Sequence, residues 1–320
     1  MNDSVATVIV TYNSGRVIGR CLRSLNGLGE IAVVDNDSRD DTCRRVEEFA
    51  PEVRLIRNAE NRGFAAAVNQ GIAATSSPFV LLLNPDTVLR TSLEPMVREC
   101  LSPRVGAVGG RLIDALGSAQ VGFNVRSFPS PLSLVAEMLL LNRLWPGNPV
   151  NRRYRRLDFD PDQKQDVDQP AGAFLLLRRD VLDAVGYLDE NFFPLWFEDV
   201  DLCWRIQQAG YIIRYEPQSV AEHQGAHSLP AMSLERKYLA WYGSLLRFAG
   251  KYFSPPSCLT VWAAAYLGLL MRWWACVLQA GSREERRAYG AALRFVASRR
   301  PHRDASSQVD VRNTAESRSS

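Results

Sequence analysis

Paired cysteines, histidines and nucleotide-loop glycines are what this 320-residue chain has little of. Its six cysteines, Cys21, Cys43, Cys100, Cys203, Cys258 and Cys276, form no Cys-x-x-Cys pair and no regular spacing. They read as small buried hydrophobes in a reducing compartment, which excludes a disulfide framework and a cysteine zinc site. No Walker loop and no Gly-x-Ser-x-Gly occurs, so the common nucleotide-hydrolase and serine-hydrolase signatures are missing. Gly27-Leu28-Gly29-Glu30-Ile31-Ala32 matches the dinucleotide fingerprint as a string. It follows a helical pattern and opens a strand, the reverse of the order that fingerprint requires. The N-terminus shows no secretory pattern: a strand begins almost at once, and Asp3 stands where a basic segment would be.

What is present is an ordinary globular balance, 46% hydrophobic and 23% charged, which excludes wholesale disorder. The net charge of +3 hides an asymmetry. Residues 1–228 carry 24 Lys and Arg against 29 Asp and Glu, whereas residues 229–303 carry 12 against 3. An acidic body with a basic, aromatic C-terminal segment suggests a surface that meets anionic lipid or another polyanion; a merely solvated basic face is the alternative.

Short apolar runs alternate with amphipathic stretches. Strands are expected at Val5–Thr11, Ile31–Val34, Val53–Ile56 and Phe79–Leu83. Helices are expected at Arg16–Leu25, from an Asp40 or Asp41 cap through Phe49, and at Phe64–Ala74. Four alternations over about ninety residues argue for an α/β fold with a mostly parallel sheet covered on both faces. Residues 106–168 hold Pro129, Pro131, Pro146, Pro149 and an arginine cluster, so long loops around short elements are expected there. Strands resume at Ala173–Leu177 and Tyr211–Tyr215, with a helix at Asp199–Ala209 between them. Residues 233–300 read as helical, and the polar tail 301–320 as disordered.

In open parallel sheets ligands bind beyond the carboxyl ends of the strands. Those ends are polar here: Thr11-Tyr12-Asn13, Asp35-Asn36-Asp37, Asn58 to Arg62-Gly63, and Asn84-Pro85-Asp86-Thr87. A ring, a carboxylate, a cation and a second carboxylate suit a nucleotide diphosphate, although any one end alone is an ordinary Asx turn. A second cluster, Trp196-Phe197-Glu198-Asp199-Val200-Asp201, sets three carboxylates among aromatic residues. Helix capping explains one or two of them; a carboxylate in an apolar setting is also how a general base acquires a useful pKa. His223 lies in an apparent loop, where a histidine is usually a surface residue. With Asp86 and a diphosphate it makes a reasonable Mg²⁺ or Mn²⁺ shell, whereas zinc usually takes more His or Cys.

These residues resemble glycosyltransferase family 2 with the GT-A fold, most closely the bacterial rhamnosyltransferase-like branch. The match covers roughly residues 5–230. It rests on Val10-Thr11-Tyr12-Asn13-Ser14, Val33-Val34-Asp35-Asn36, Asn61-Arg62-Gly63-Phe64, Leu83-Asn84-Pro85-Asp86-Thr87, Gly172-Ala173, Phe197-Glu198-Asp199-Val200-Asp201 and His223-Gln224-Gly225, in that order. The resemblance implies a catalytic domain over 1–230, its nucleotide-sugar half about 1–110 and its acceptor half about 111–230. It implies donor-nucleotide contacts at Thr11, Tyr12, Asn13, Asp35, Arg62, Gly63 and Asn84, and Mg²⁺ or Mn²⁺ on Asp86 and His223. Asp199 would be the catalytic base with Glu198 beside it, and Gly172, Ala173 and Trp196 would meet acceptor or sugar. Asn84 replaces the first Asp of the family's usual Asp-x-Asp, and Gln169-Pro170-Ala171 stands where Trp-Val-Ser is usual.

An inverting transfer from a nucleotide-diphosphate sugar, dTDP-rhamnose by resemblance, to a glycan or polyprenyl-linked acceptor is therefore expected, in surface polysaccharide synthesis and with no nucleic-acid partner. A nucleotidyltransferase would show a Gly-rich basic loop after the first strand, and a non-catalytic sugar-nucleotide scaffold would not need Glu198-Asp199. Ser257–Ala280 has a single charge, Arg272. At about 36 Å it is long enough to cross a bilayer, but that arginine suits an in-plane interfacial helix better than a span, and packing on the catalytic domain is the third reading. Peripheral contact through 251–300 at the cytoplasmic face of the cell membrane is the expectation.

Overall fold

The computed structural model describes residues 4–225, 232–278 and 281–299; the expected tail 301–320 and the histidines His227 and His302 lie outside them. In chain order the elements are β1 (Val5–Thr11), α1 (Gly15–Arg23), β2 (Ile31–Asp35), α2 (Thr42–Phe49), β3 (Arg54–Arg57), α3 (Phe64–Ala73) and β4 (Phe79–Leu83). There follow β5 (Thr87–Leu89), α4 (Glu94–Cys100), β6 (Val105–Ile113), β7 (Val125–Arg126), α5 (Pro131–Met138), α6 (Leu141–Leu144) and α7 (Pro149–Tyr154). Next come β8 (Gln165–Asp166), β9 (Gln169–Pro170), β10 (Phe174–Arg178), α8 (Arg179–Val185), α9 (Glu198–Gln208) and β11 (Ile212–His223). The chain closes on α10 (Leu234–Tyr252), α11 (Pro255–Leu278) and α12 (Arg283–Ser298).

The main sheet runs β3-β2-β1-β4-β10-β6-β11-β5, with β8 on β11. It is parallel through β3, β2, β1 and β4 and again between β6 and β11, while β10 and β5 enter antiparallel. Strands buried on both faces are built mainly of apolar side chains, and β1 and β4 fit this: every residue of both is buried, with Thr7 and Thr11 the polar members. Two apolar layers result, one built on Ile18, Leu22 and Met96, the other on Val68, Ile72 and Leu202.

Residues 106–168 do hold long loops around short elements, but the segment opens on β6, a nine-residue strand inside the sheet that the sequence pattern did not show. Gly106, Gly109 and Gly110 weaken its strand signature, and packing explains two of them. A Cβ on Gly109 would sit 2.3 Å from Pro170 Cβ, and one on Gly110 would sit 2.0 Å from Phe174 Cε1. One expectation is corrected at β11. The strand expected to end at Tyr215 continues to His223, so His223 is a strand residue and not a loop residue. Its register on β6 slips between Glu216 and Val220, where Pro217 interrupts the apolar pattern.

The C-terminal helices pack on α9 and α5. Asp201 of α9, fully buried, accepts hydrogen bonds from Lys251 Nζ and Tyr252 Oη of α10, each at 2.5 Å, and from Arg205 Nε at 2.9 Å. α11 lies against α5 so closely that a Cβ on Gly268 would fall 2.1 Å from the Met138 carbonyl oxygen. Arg272, the lone charge of α11, turns inward and donates to that same carbonyl at 2.6 Å. Leu259, Leu267, Met271, Trp274 and Leu278 are left on an exposed, uncharged face.

Candidate active site

Beyond the carboxyl ends of β1 and β4 lies a cavity of about 1650 Å³. Of the residues singled out from sequence, Tyr12, Asn84, Asp86, Gly172 and Ala173 line it, as do Trp196, Glu198, Asp199 and His223. The other five do not. Thr11 and Asp35 are buried and face each other: Thr11 Oγ1 donates to Asp35 Oδ1 at 2.8 Å, and Ser38 donates to the same carboxylate through Oγ at 2.6 Å and N at 3.0 Å. Asn13, with φ of 51°, donates its amide to Ser38 Oγ and accepts the Arg39 amide on Oδ1, so it braces the turn after β2. Arg62 points into solvent. Gly63, with φ of 84°, lets the loop pass under the Phe193 ring, which a Cβ would meet at 2.9 Å.

Asn36 organises that loop, a role the sequence did not disclose. Its Nδ2 donates to Asn61 Oδ1 and the Gly63 carbonyl, and its Oδ1 accepts from the Arg62 amide and Asn58 Nδ2.

Asp86 and His223 meet because β5 pairs with β11, with His223 opposite Thr87. His223 Nε2 stands 3.5 Å from Asp86 Oδ1, and both side chains are buried. On the other side of the ring, Nδ1 lies 3.0 Å from Gln120 Oε1. An amide oxygen only accepts, so Nδ1 carries a proton and Nε2 is the ring nitrogen that faces Asp86. Gln120 Nε2 in turn donates to the His223 carbonyl at 2.7 Å, and Phe123 stacks on the ring at 5.1 Å. Gln120 and Phe123 come from the segment where the sequence pattern was least readable. A carboxylate oxygen beside an oriented imidazole nitrogen is a donor set that fits Mg²⁺ or Mn²⁺. Among the described residues no third His, Cys, Asp or Glu joins them.

The second centre sits at the start of α9. Trp196 and Phe197 both have positive φ, 78° and 70°, conformations that cost on the order of 1–3 kcal/mol each for such residues. That double left-handed turn delivers Glu198 and Asp199 into the cavity. Asp199 Oδ2 accepts from the Gly172 amide and from Gln169 Nε2, both at 3.2 Å, and Oδ1 accepts from the Val200 amide at 2.8 Å. Gly172 packs directly on the same side chain: a Cβ there would lie 3.3 Å from Asp199 Cβ. Burial raises the Asp199 pKa above the ordinary carboxylate value, while the two amides and the charge of Arg126 pull it back. Glu198 is raised well above its ordinary value by burial and by the negative charges of Asp199 and Asp201. Its Oε2 is buried without a hydrogen-bond partner.

The family model described as glycosyl transferase family 2 matches residues 6–186, more than half of the chain. The chain belongs to glycosyltransferase family 2. This glycosyltransferase is 31% identical over 262 residues to the N-acetylglucosaminyl-diphospho-decaprenol L-rhamnosyltransferase of two Mycobacterium tuberculosis strains, covering 76% of this chain and 84% of that one. It is 23% identical to the low-salt glycan biosynthesis hexosyltransferase Agl10 of Haloferax volcanii over 65% of this chain and 63% of the other. Among solved structures it superposes on the mannosyltransferase PcManGT of Pyrobaculum calidifontis, determined with GDP-Man and Mn²⁺. The TM-score is 0.51, with 18% identity and coverage of 92% and 75% of the two chains. That likeness shows the fold, a GT-A α/β architecture carrying additional C-terminal helices. With an enzyme family and a rhamnosyltransferase relative in place, the nucleotidyltransferase and scaffold readings are set aside.

Proposed function

We propose that this glycosyltransferase moves an L-rhamnosyl group from a nucleotide-diphosphate donor, dTDP-rhamnose by likeness, to a polyprenyl-diphosphate-linked glycan, with inversion at the anomeric carbon. The observation that carries the reading is the placing of two chemically different centres in one cavity: Asp86 with His223, and Asp199 with Glu198. The relative's printed name supplies the sugar and the class of acceptor.

In this mechanism Asp199 takes the proton of the acceptor hydroxyl as that oxygen bonds to the anomeric carbon. The bond to the diphosphate breaks on the opposite face, and its electron pair leaves with the diphosphate. The raised pKa of Asp199 makes it a better proton acceptor than an exposed aspartate, and the Gly172 and Gln169 hydrogen bonds fix its orientation. Mg²⁺ or Mn²⁺ on Asp86 and His223 would supply positive charge for the leaving diphosphate. Tyr12 and Asn84, which line the same cavity, would meet the donor, while Thr11, Asp35 and Asn13 shape the loops behind them.

The enzyme would work at the cytoplasmic face of the membrane, resting there on the exposed apolar face of α11, whose only charge is turned into the protein. The test is transfer with a purified lipid-linked acceptor across a panel of nucleotide sugars, with Mn²⁺ and with EDTA. Turnover of Asp199→Asn near the normal rate in a folded protein would sink the assignment of the base.

A further inference from the structure

The cavity that holds Asp199 does not end at the sheet. One face of α10 continues its wall: Arg236, Leu239, Ala240, Gly243, Leu246 and Gly250 recur at helical spacing. From Arg236 to Gly250 that face rises about 21 Å. Opposite it stand Trp262 of α11, Phe295 of α12 and Arg299 just beyond, with the Arg299 guanidinium 4.9 Å above the Phe295 ring. At about 1650 Å³ the space exceeds the roughly 300–1,000 Å³ that encloses an ordinary small ligand. The stretch between the three helices is mostly carbon-walled, with Arg236, Arg247 and Arg299 as its charged residues. At the catalytic end of the same cavity, Glu198 Oε2 is buried without a partner, a polar group waiting for a ligand.

We infer that the α10–α11–α12 end of the cavity is a binding channel for the hydrocarbon chain of a prenyl diphosphate, with Arg236 and Arg299 on the wall to meet its diphosphate. The inference rests on the lipid-linked acceptor reading and adds the place where the lipid sits. Leu239, Leu246, Trp262 and Phe295 give the chain apolar contact. The channel is bounded by α11, the helix whose outer face is apolar, so a chain drawn from a bilayer would pass beside that helix to reach Asp199.

The test is direct binding to the full-length protein of a sugar-free prenyl diphosphate in detergent, followed by tryptophan fluorescence, with inorganic diphosphate as the second ligand. Gly243→Phe fills the channel, because the Cβ position already lies 3.4 Å from Phe295 Cζ. Leu239→Gln makes the wall polar with little change of volume and serves where the larger substitution disturbs folding. Either variant should weaken prenyl diphosphate binding at least about tenfold, the worth of roughly two buried methylenes. Binding of the nucleotide diphosphate with Mn²⁺ should stay unchanged. Equal affinity of the wild type for prenyl and inorganic diphosphate, or unchanged prenyl binding in both variants, overturns the channel. Normal prenyl binding together with no sugar transfer to any lipid-linked acceptor would count against the proposed function and leave the channel standing.

Discussion

His223 Nε2 and Asp86 Oδ1 stand 3.5 Å apart although more than a hundred residues separate them in the chain. The pairing of His223 with Thr87 and the hydrogen bond from the Gln224 amide to the Asp86 carbonyl at 3.2 Å bring them together. A sheet ladder therefore holds this half of the site, and a second layer of side chains aims the imidazole.

Gln120 should consequently matter without touching any ligand. Gln120→Ala removes the acceptor that keeps the proton on Nδ1 and frees the ring to rotate. Mn²⁺ affinity, measured by titration in the presence of a nucleotide diphosphate, should fall about 10–100-fold. Unchanged affinity would show that Phe123 stacking alone orients the ring.

The pH profile should carry the signature of Asp199. A base works only when ionised, and burial raises its pKa, so kcat/KM should fall on acidification at a pH above the ordinary aspartate range. Arg126 pulls that pKa down, so Arg126→Met should move the acid limb to higher pH. Asp199→Asn should lower kcat by about 10²–10⁴-fold and abolish the limb. A limb that stays in place in Arg126→Met would mean that another group titrates.

Glu198 makes a different prediction, on stability. Its pKa is raised on folding, so below about pH 4.5 both states hold the proton and nothing is gained or lost. As pH rises, the unfolded chain releases the proton first, and folding stability drains away. Glu198→Gln keeps the shape without the charge. Its melting temperature should exceed that of the wild type at pH 7–8, and the difference should close near pH 4.

Lys251 links the C-terminal helices to the catalytic helix through Asp201 and Asp189, at 2.5 and 3.0 Å. Lys251→Met leaves those carboxylates under-compensated in a buried setting, and the cost should be on the order of 3–5 kcal/mol. Denaturant unfolding should remain a single transition shifted to lower concentration. Two separated transitions would show that α10–α12 fold independently of the catalytic domain.

Much of this molecule was legible in the sequence because its signals are local. Short apolar runs with helical spacing between them mark β1, β2 and β4, which are almost wholly buried, and the edge strand β3, where Leu55 and Ile56 lie between two exposed arginines. Polar strand ends marked the cavity side, and the Asn84-Pro85-Asp86, Glu198-Asp199 and His223 motifs all line that cavity. Local pattern failed where packing overrules propensity. β6 is rich in glycine because Pro170 and Phe174 occupy the space its side chains would need. β11 runs on past Pro217 because its partners β6 and β5 lie on either side of it.

The sequence alone therefore determined the fold class, the enzyme family and the residue types of both candidate centres, all of which depend on neighbours along the chain. Only the tertiary structure decided which of them share a cavity. It turned Thr11 and Asp35 toward each other, brought Gln120 to His223, and pointed Arg272 of α11 into the protein. Each of those outcomes depends on the burial and hydrogen-bond satisfaction of groups far apart in sequence, and no spacing along the chain encodes them.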